Sequence, residues 1–122
     1  MIRYTAEHLW VRLEEGGQSA LAGITRHAQD TLGDIVLVDV TARGAQPENT
    51  VIGTVESVKT ASDLHMPLNG DIVEVNTALQ DNPELVNEDP EGAGWMLRIA
   101  HVDPAHFAAL MDEAAYRAHT GG

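Results

Sequence analysis

Eleven glycines and five prolines cut this 122-residue chain into short apolar runs. The runs alternate with the period of two that marks half-buried β-strands. Leu9, Val11 and Leu13 alternate with Trp10 and Arg12, and after the Gly16-Gly17 turn signal residues 19–24 return as a second strand. Residues 34–40 are nearly continuous apolar and β-branched, which predicts a buried strand. In 50–58, Ile52, Thr54, Glu56 and Val58 share one face while Val51, Gly53, Val55 and Ser57 share the other. A run at 61–66 closes on Pro67-Leu68-Asn69-Gly70, a strong turn, and 71–76 and 95–100 supply further strands. Thr25 can cap a helix over 26–32 that Gly33 ends, and Asn82-Pro83 opens a brief helical turn before an acidic loop at 87–94. Asp103-Pro104 starts a final helix with Phe107, Leu110, Met111 and Ala114 at helical spacing, and Gly121-Gly122 reads as a frayed end. The expectation is one domain over 1–122, mainly β, with roughly seven short strands, edge helices and a C-terminal helix.

Charge narrows the partners. Seven Lys+Arg against nineteen Asp+Glu leave a net charge of −12. Such a surface repels nucleic acid and anionic membranes and steers basic partners toward it. No run is long enough to span a bilayer, and the first ten residues lack the apolar core of a signal peptide. A cytoplasmic protein fits this best, and a mature organellar chain whose transit peptide had been removed would look similar.

Most catalytic constellations are absent. With no cysteine, disulfides, thiolate metal sites and a cysteine nucleophile are excluded. The six histidines, at 8, 27, 65, 101, 106 and 119, are scattered, and no metal-ligand spacing links them. The acidic 88–91 run lacks the alternating oxygen ligands of a calcium loop. Gly92 and Gly94 precede a strand rather than a phosphate-binding helix, and no nucleophile elbow is present. The chain reads as non-catalytic.

One residue stands apart. Lys59 is the only lysine, and the other six cationic side chains are arginine. It sits in VESVKTASD, between two strand-like runs, where a hairpin turn would expose it. An amine there suits modification by another enzyme: an amide at Nζ removes the charge and attaches a long flexible arm. From composition alone, an ordinary surface lysine is the favoured reading.

VESVKTASDLHMPLNGDIVEVN (55–76) closely resembles the lipoyl-attachment region of glycine cleavage system H proteins. YTAEHLW (4–10), GITRHAQDTLGDIV (23–36), NPELVNEDPEGAGW (82–95) and DEAAYRA (112–118) resemble further segments of that family in the same order. The resemblance implies a barrel–sandwich hybrid of the biotinyl/lipoyl-carrier type with short flanking helices. It also implies lipoate amide-linked to Lys59. Val58 and Thr60 flank that lysine where biotin carriers have methionines. By resemblance, Glu56 serves recognition by the lipoylating enzyme (lipoyl or octanoyl transferase, or lipoate ligase), and Asp63 belongs to the surroundings of the arm. Glu7, His8 and Leu9 are arm-pocket candidates. The implied partners are glycine decarboxylase, aminomethyltransferase and dihydrolipoyl dehydrogenase, among which a monomeric carrier shuttles an aminomethyl cargo. The dithiolane supplies the reactivity and the protein supplies tether and docking faces.

Three positions depart from the family pattern. H proteins typically carry glutamate where Leu9 stands, and in the family that glutamate helps hold the aminomethylated arm. They carry an acidic residue where Arg26 stands, and a proline follows the 34–40 strand where this chain reads DVTARG. All three lie outside the attachment hairpin. They leave open two other readings: an H-like carrier of sulfur intermediates serving a heterodisulfide-reductase-like complex, and a relay that hands its lipoyl group on.

Overall fold

The computed structural model describes residues 1–121; the expected fray at Gly122 lies outside them. Nine strands and five short helices follow in the order β1 (Ile2–Tyr4), β2 (Leu9–Leu13), β3 (Ser19–Ile24), α1 (Arg26–Leu32), β4 (Ile35–Val40), β5 (Gly44–Gln46), β6 (Val51–Ser57), β7 (Ala61–His65), β8 (Gly70–Val75), α2 (Ala78–Asp81), α3 (Glu84–Glu88), β9 (Leu97–Ala100), α4 (Pro104–Ala109) and α5 (Glu113–Thr120). They form a six-stranded sheet ordered β1-β2-β3-β9-β8-β5 and a three-stranded sheet ordered β4-β6-β7. All pairings are antiparallel. The core between them is built from Val, Ile, Leu, Ala and Met, with Ile52, Met66, Leu68, Met96 and Ile99 fully enclosed. This is the expected mainly-β sandwich with flanking helices.

Several elements correct the sequence expectation. The count is nine strands rather than seven, because β1 and β5 are three-residue pieces too short to carry a period. Helix α2, likewise a single turn, is an addition, and α3 starts one residue beyond Pro83. The final helix is two helices. Met111 leaves the helical path to exchange backbone hydrogen bonds with Tyr4, at 2.8 and 3.0 Å, and Asp112 then caps α5 by accepting from the Ala115 N–H. Consequently Ala114 is exposed, and Tyr116 is the buried residue of α5.

Two bulges account for the other corrections. Between Ile35 and Leu37 the register of β4 against β6 shifts, and Val36 and Leu37 both face solvent, so this strand is only half buried. Between Val51 and Gly53 a second shift turns Ile52 into the core, away from Thr54 and Glu56. Gly53 is required here, since a Cβ would collide with the Asp39 carbonyl oxygen of the neighbouring strand. On the opposite sheet, Leu9 and Val11 face the main core while Trp10 faces a second cluster with Tyr4 and Tyr116. The indole lies across Gly23 and donates to the Pro90 carbonyl oxygen at 2.9 Å. Both faces of β2 are thus buried, the outer one beneath α5.

Candidate functional site: a lysine hairpin beside an apolar cleft

Strands β6 and β7 are joined by Val58, Lys59 and Thr60, all exposed. The tip is held firmly. Ser57 N–H donates to the Thr60 carbonyl oxygen at 2.7 Å, and the Ser57 hydroxyl oxygen accepts from the Lys59 and Thr60 N–H groups at 3.3 and 3.2 Å. The Val58 N–H donates to the Asp34 carbonyl oxygen at 3.0 Å, tying the turn to the chain leaving α1. Every amide of the loop is therefore satisfied. Sequence pattern suggested the turn; Ser57 as its organiser was missed, and a serine two residues before the tip is the signal that could have found it.

Lysine 59 differs from the arginines in its surroundings. Arg98 pairs with Glu14 and Glu74, and Arg117 with Glu113. Arg3, Arg12, Arg26 and Arg43 donate to backbone carbonyls. Lys59 makes no ion pair among the described residues. Its aliphatic stem passes Gly33, where a Cβ would sit 3.5 Å from its Cε.

Gly33 ends α1, and the last turn of α1 forms one lip of a cleft of about 210 Å³. Its apolar lining includes Leu9, Ile24, Leu32, Val55 and Leu64, and its polar rim comprises Glu7, His8, His27, Asp63 and His65 with Thr31 and Ser62. The structure thus brings Glu7, His8, Leu9 and Asp63 to one cleft. Glu56, Val58 and Thr60 do not line it. Glu56 stands on the outer sheet face, half-buried opposite Leu37 and Ala61. His27 and His65, counted among the scattered histidines, are also at the rim: β3, α1 and β7 converge there although the residues are far apart in sequence. Leu9 lies 4% exposed in the core, extending the face of Val11.

The turn preceding β2 aims His8 at this rim. Thr5 organises it, its hydroxyl oxygen accepting from the Glu7 and Leu9 N–H groups. His8 takes the left-handed backbone conformation, φ 64°, which histidine tolerates better than most residues. Its Nδ1 is hydrogen-bonded to the Tyr116 hydroxyl at 2.8 Å, and that hydroxyl is 2.7 Å from the Thr25 hydroxyl, the N-cap of α1. His27 and His119 stand 4.7 and 5.6 Å from His8, ring centre to ring centre. Burial, then the two neighbouring imidazoles, push the His8 pKa down, opposed by Glu7. The neutral ring is favoured, and the carboxyl groups at the rim are those of Glu7 and Asp63.

Arg26 does not line the cleft. Its guanidinium donates to the Gln29 side chain and to the Asn87 and Glu88 carbonyl oxygens, clamping α1 to the C-terminal end of α3. A cation there satisfies the last carbonyls of that helix. Asn87 in turn exchanges two hydrogen bonds with the backbone of Ile35, positioning β4.

A sandwich that offers one unpartnered lysine on a fixed hairpin, beside an apolar cleft, has the build of a carrier domain. Comparison with known proteins places it more closely. The family described as Glycine cleavage H-protein matches residues 2–121. The glycine cleavage system H protein of Chlorobium luteolum is 50% identical over 122 residues, covering 99% of this chain and 95% of that protein. That of Symbiobacterium thermophilum is 48% identical over 120 residues, covering 98% and 92%. The crystal structure of a glycine cleavage system H protein from Mycobacterium marinum superposes with a TM-score of 0.86 at 36% identity, covering 99% of this chain and 97% of that one. The chain belongs to the glycine cleavage H-protein family, and its fold is the lipoyl-carrier barrel–sandwich hybrid. Among the described residues, no helix is long and apolar enough to cross a membrane.

Proposed function

We propose that this protein is the lipoyl carrier of a glycine cleavage system, with lipoate joined to Lys59 by an amide bond and the whole chain acting as one carrier domain. The single observation that carries this reading is the lone lysine, free of ion pairs among the described residues and fixed on a hairpin tip, in a chain of this family. The residues present fit the group. Nζ is accessible for acylation, the stem passes Gly33 beside the cleft, and the cleft floor is apolar. When attached, the dithiolane supplies thiol–disulfide chemistry and carries the aminomethyl group derived from glycine.

The chain's own residues do the positioning. Ser57 and Asp34 fix the tip, so the arm pivots from a defined point. Glu7 and Asp63 provide negative charge at the rim for a protonated amine, while His8, favoured as the neutral ring, adds no opposing charge. Leu9 contributes apolar floor only. Val58 and Thr60 frame the attachment point, and Glu56 serves recognition by the lipoylating enzyme. Glycine decarboxylase, aminomethyltransferase and dihydrolipoyl dehydrogenase are the partners in this reading. The acidic surface steers basic docking faces toward the carrier.

Co-expression with a lipoylating enzyme should add one lipoyl group to the intact mass and none to Lys59→Ala. An unmodified wild type would end the attachment reading. The lipoylated protein should then support glycine–bicarbonate exchange by the decarboxylase. Failure there, together with loading by thiosulfate-derived sulfur, would transfer the protein to the sulfur-carrier reading, for which the apolar residue at position 9 is the favouring observation.

A further inference from the structure

Val36, Leu37 and Val58 are 48, 41 and 70% exposed. Strict alternation after the buried Ile35 would turn Leu37 inward. The bulge between Ile35 and Leu37 instead leaves both Val36 and Leu37 outside and returns Val38 and Val40 to the core. A bulge disrupts the ladder locally and re-aims side chains, and this one holds two large apolar groups in water. Leu37 stands opposite Glu56, and the Val58 N–H meets the Asp34 carbonyl. The paired strands β4 and β6 lie about 5 Å apart, and Val36, Leu37 and Val58 stand on the outer side of β4 and of the turn that follows β6, next to Lys59. Asp34, Asp39 and Glu56 border this strip, and Lys59 is the only lysine or arginine along 34–40 and 51–65. Single exposed apolar residues are ordinary, whereas a contiguous strip rimmed by charge marks an interaction surface.

We propose that this outer face of β4 and the hairpin tip is the docking surface for the enzyme that acylates Lys59, which presents an apolar hollow flanked by basic side chains. The proposal rests on the attachment reading above. An acylating enzyme must bring Nζ itself into its active centre, so it has to cover the residues beside Lys59. A partner that uses only the far end of an attached arm can dock elsewhere. In the step served, the deprotonated Nζ attacks the carbonyl carbon of an acyl adenylate. The amide C–N bond forms, the bond from the acyl carbon to the phosphate oxygen breaks, AMP leaves and the Nζ proton is released to solvent.

The test uses the full chain, a lipoate–protein ligase, free lipoate and ATP, with time courses followed by intact mass. Val36→Ser with Leu37→Ser should raise KM about tenfold, the loss expected for apolar anchors at an interface centre, with kcat and the one-adduct endpoint retained. The urea midpoint should not move. Leu37→Met should restore most of the affinity when paired with native Val36. Asp39→Asn should raise KM and weaken the dependence of KM on added salt. A double variant with wild-type KM would overturn the proposal while leaving the attachment reading intact. So would normal lipoylation accompanied by impaired glycine–bicarbonate exchange, since the face would then serve another partner. Failure of the wild type to accept any lipoyl group would instead overturn the attachment reading, and the docking proposal with it.

Discussion

Tyr116→Phe removes one oxygen from the centre of the network that joins α5, the rim of the cleft and the cap of α1. The ring remains, with its stacking on Tyr4 at 4.5 Å between centres. Two hydrogen bonds are lost, 2.7 Å to Thr25 and 2.8 Å to His8. The Thr25 hydroxyl keeps the Ala28 N–H as its donor at 3.2 Å, but it lies in a residue with no exposed surface. His8 Nδ1 loses the only partner it has among the described residues. A net hydrogen bond contributes roughly 1 kcal/mol and a buried orphan costs about 1–3 kcal/mol, which together give an expected loss of about 2 kcal/mol. For a chain of this size that is about 1 M in the urea midpoint and about 8 °C in Tm. Tyr4→Phe is the control: Tyr4 is as buried, but its hydroxyl makes no hydrogen bond among the described residues, so its loss should stay within about 0.5 kcal/mol. A double-mutant cycle with His8→Asn, which keeps the left-handed backbone accessible, should return a coupling of at least about 0.5 kcal/mol. A Tyr116→Phe loss no larger than that of Tyr4→Phe, or a coupling of zero, refutes the network.

Other perturbations read other parts of the molecule. Gly53→Ala should destabilise by about 3 kcal/mol or more, measured by urea unfolding, because a Cβ there meets backbone that cannot turn aside. Lys59→Arg should accept no lipoyl group by intact mass yet leave the urea midpoint within about 0.3 M of wild type, since the side chain is exposed. Because His8 has a folded pKa below its unfolded value, its contribution to stability is complete above the ordinary histidine range and declines as pH falls through that range toward the folded pKa. The urea midpoint should therefore drop as pH falls through and below the ordinary histidine range, and His8→Asn should flatten the drop, with His27, His119, Glu7 and Tyr116 as the groups facing the ring. Glu14, whose pKa is lowered first by its hydrogen bond to Arg98, contributes stability above the ordinary carboxylate range that is lost on further acidification. Glu14→Gln should shrink that second, more acidic loss.

The parts of the fold legible in the sequence are those fixed by local chemistry. Thr25 caps α1, Gly33 ends it, and Asp103-Pro104 opens α4, as side-chain chemistry within a few residues dictates. The alternation of 9–13 and 19–24 is visible because those strands pair through a tight Gly16-Gly17 turn. What was hidden depends on distant partners. Met111 breaks the last helix because Tyr4 offers it a backbone pairing more than a hundred residues away in sequence, and no local propensity records that. The bulges at Val36 and Ile52 defeat a strict period of two, which turns a continuous apolar run into one that faces both ways. In the candidate site, Lys59 stood out through its singularity. The histidines did not, because spacing tests look for ligands on one element, whereas His8, His27 and His65 arrive at the cleft from a turn, a helix and a strand. Leu9 was readable as core from its alternation with Trp10, and its place at the cleft floor follows from β2 facing α1 and β7.

On the attachment reading, the satisfied amides of the hairpin tip bear on when lipoate could be joined to Lys59. Val58, Lys59 and Thr60 are held by hydrogen bonds to Asp34 and Ser57, and Asp34 lies in the link between α1 and β4, outside the hairpin itself. An enzyme that reads this tip reads a finished fold rather than a stretch of sequence. A peptide spanning 50–66 would be a poor acyl acceptor, and nascent or misfolded chains would pass unmodified. The lipoyl occupancy of a preparation would then measure how much of it had folded when the enzyme was present.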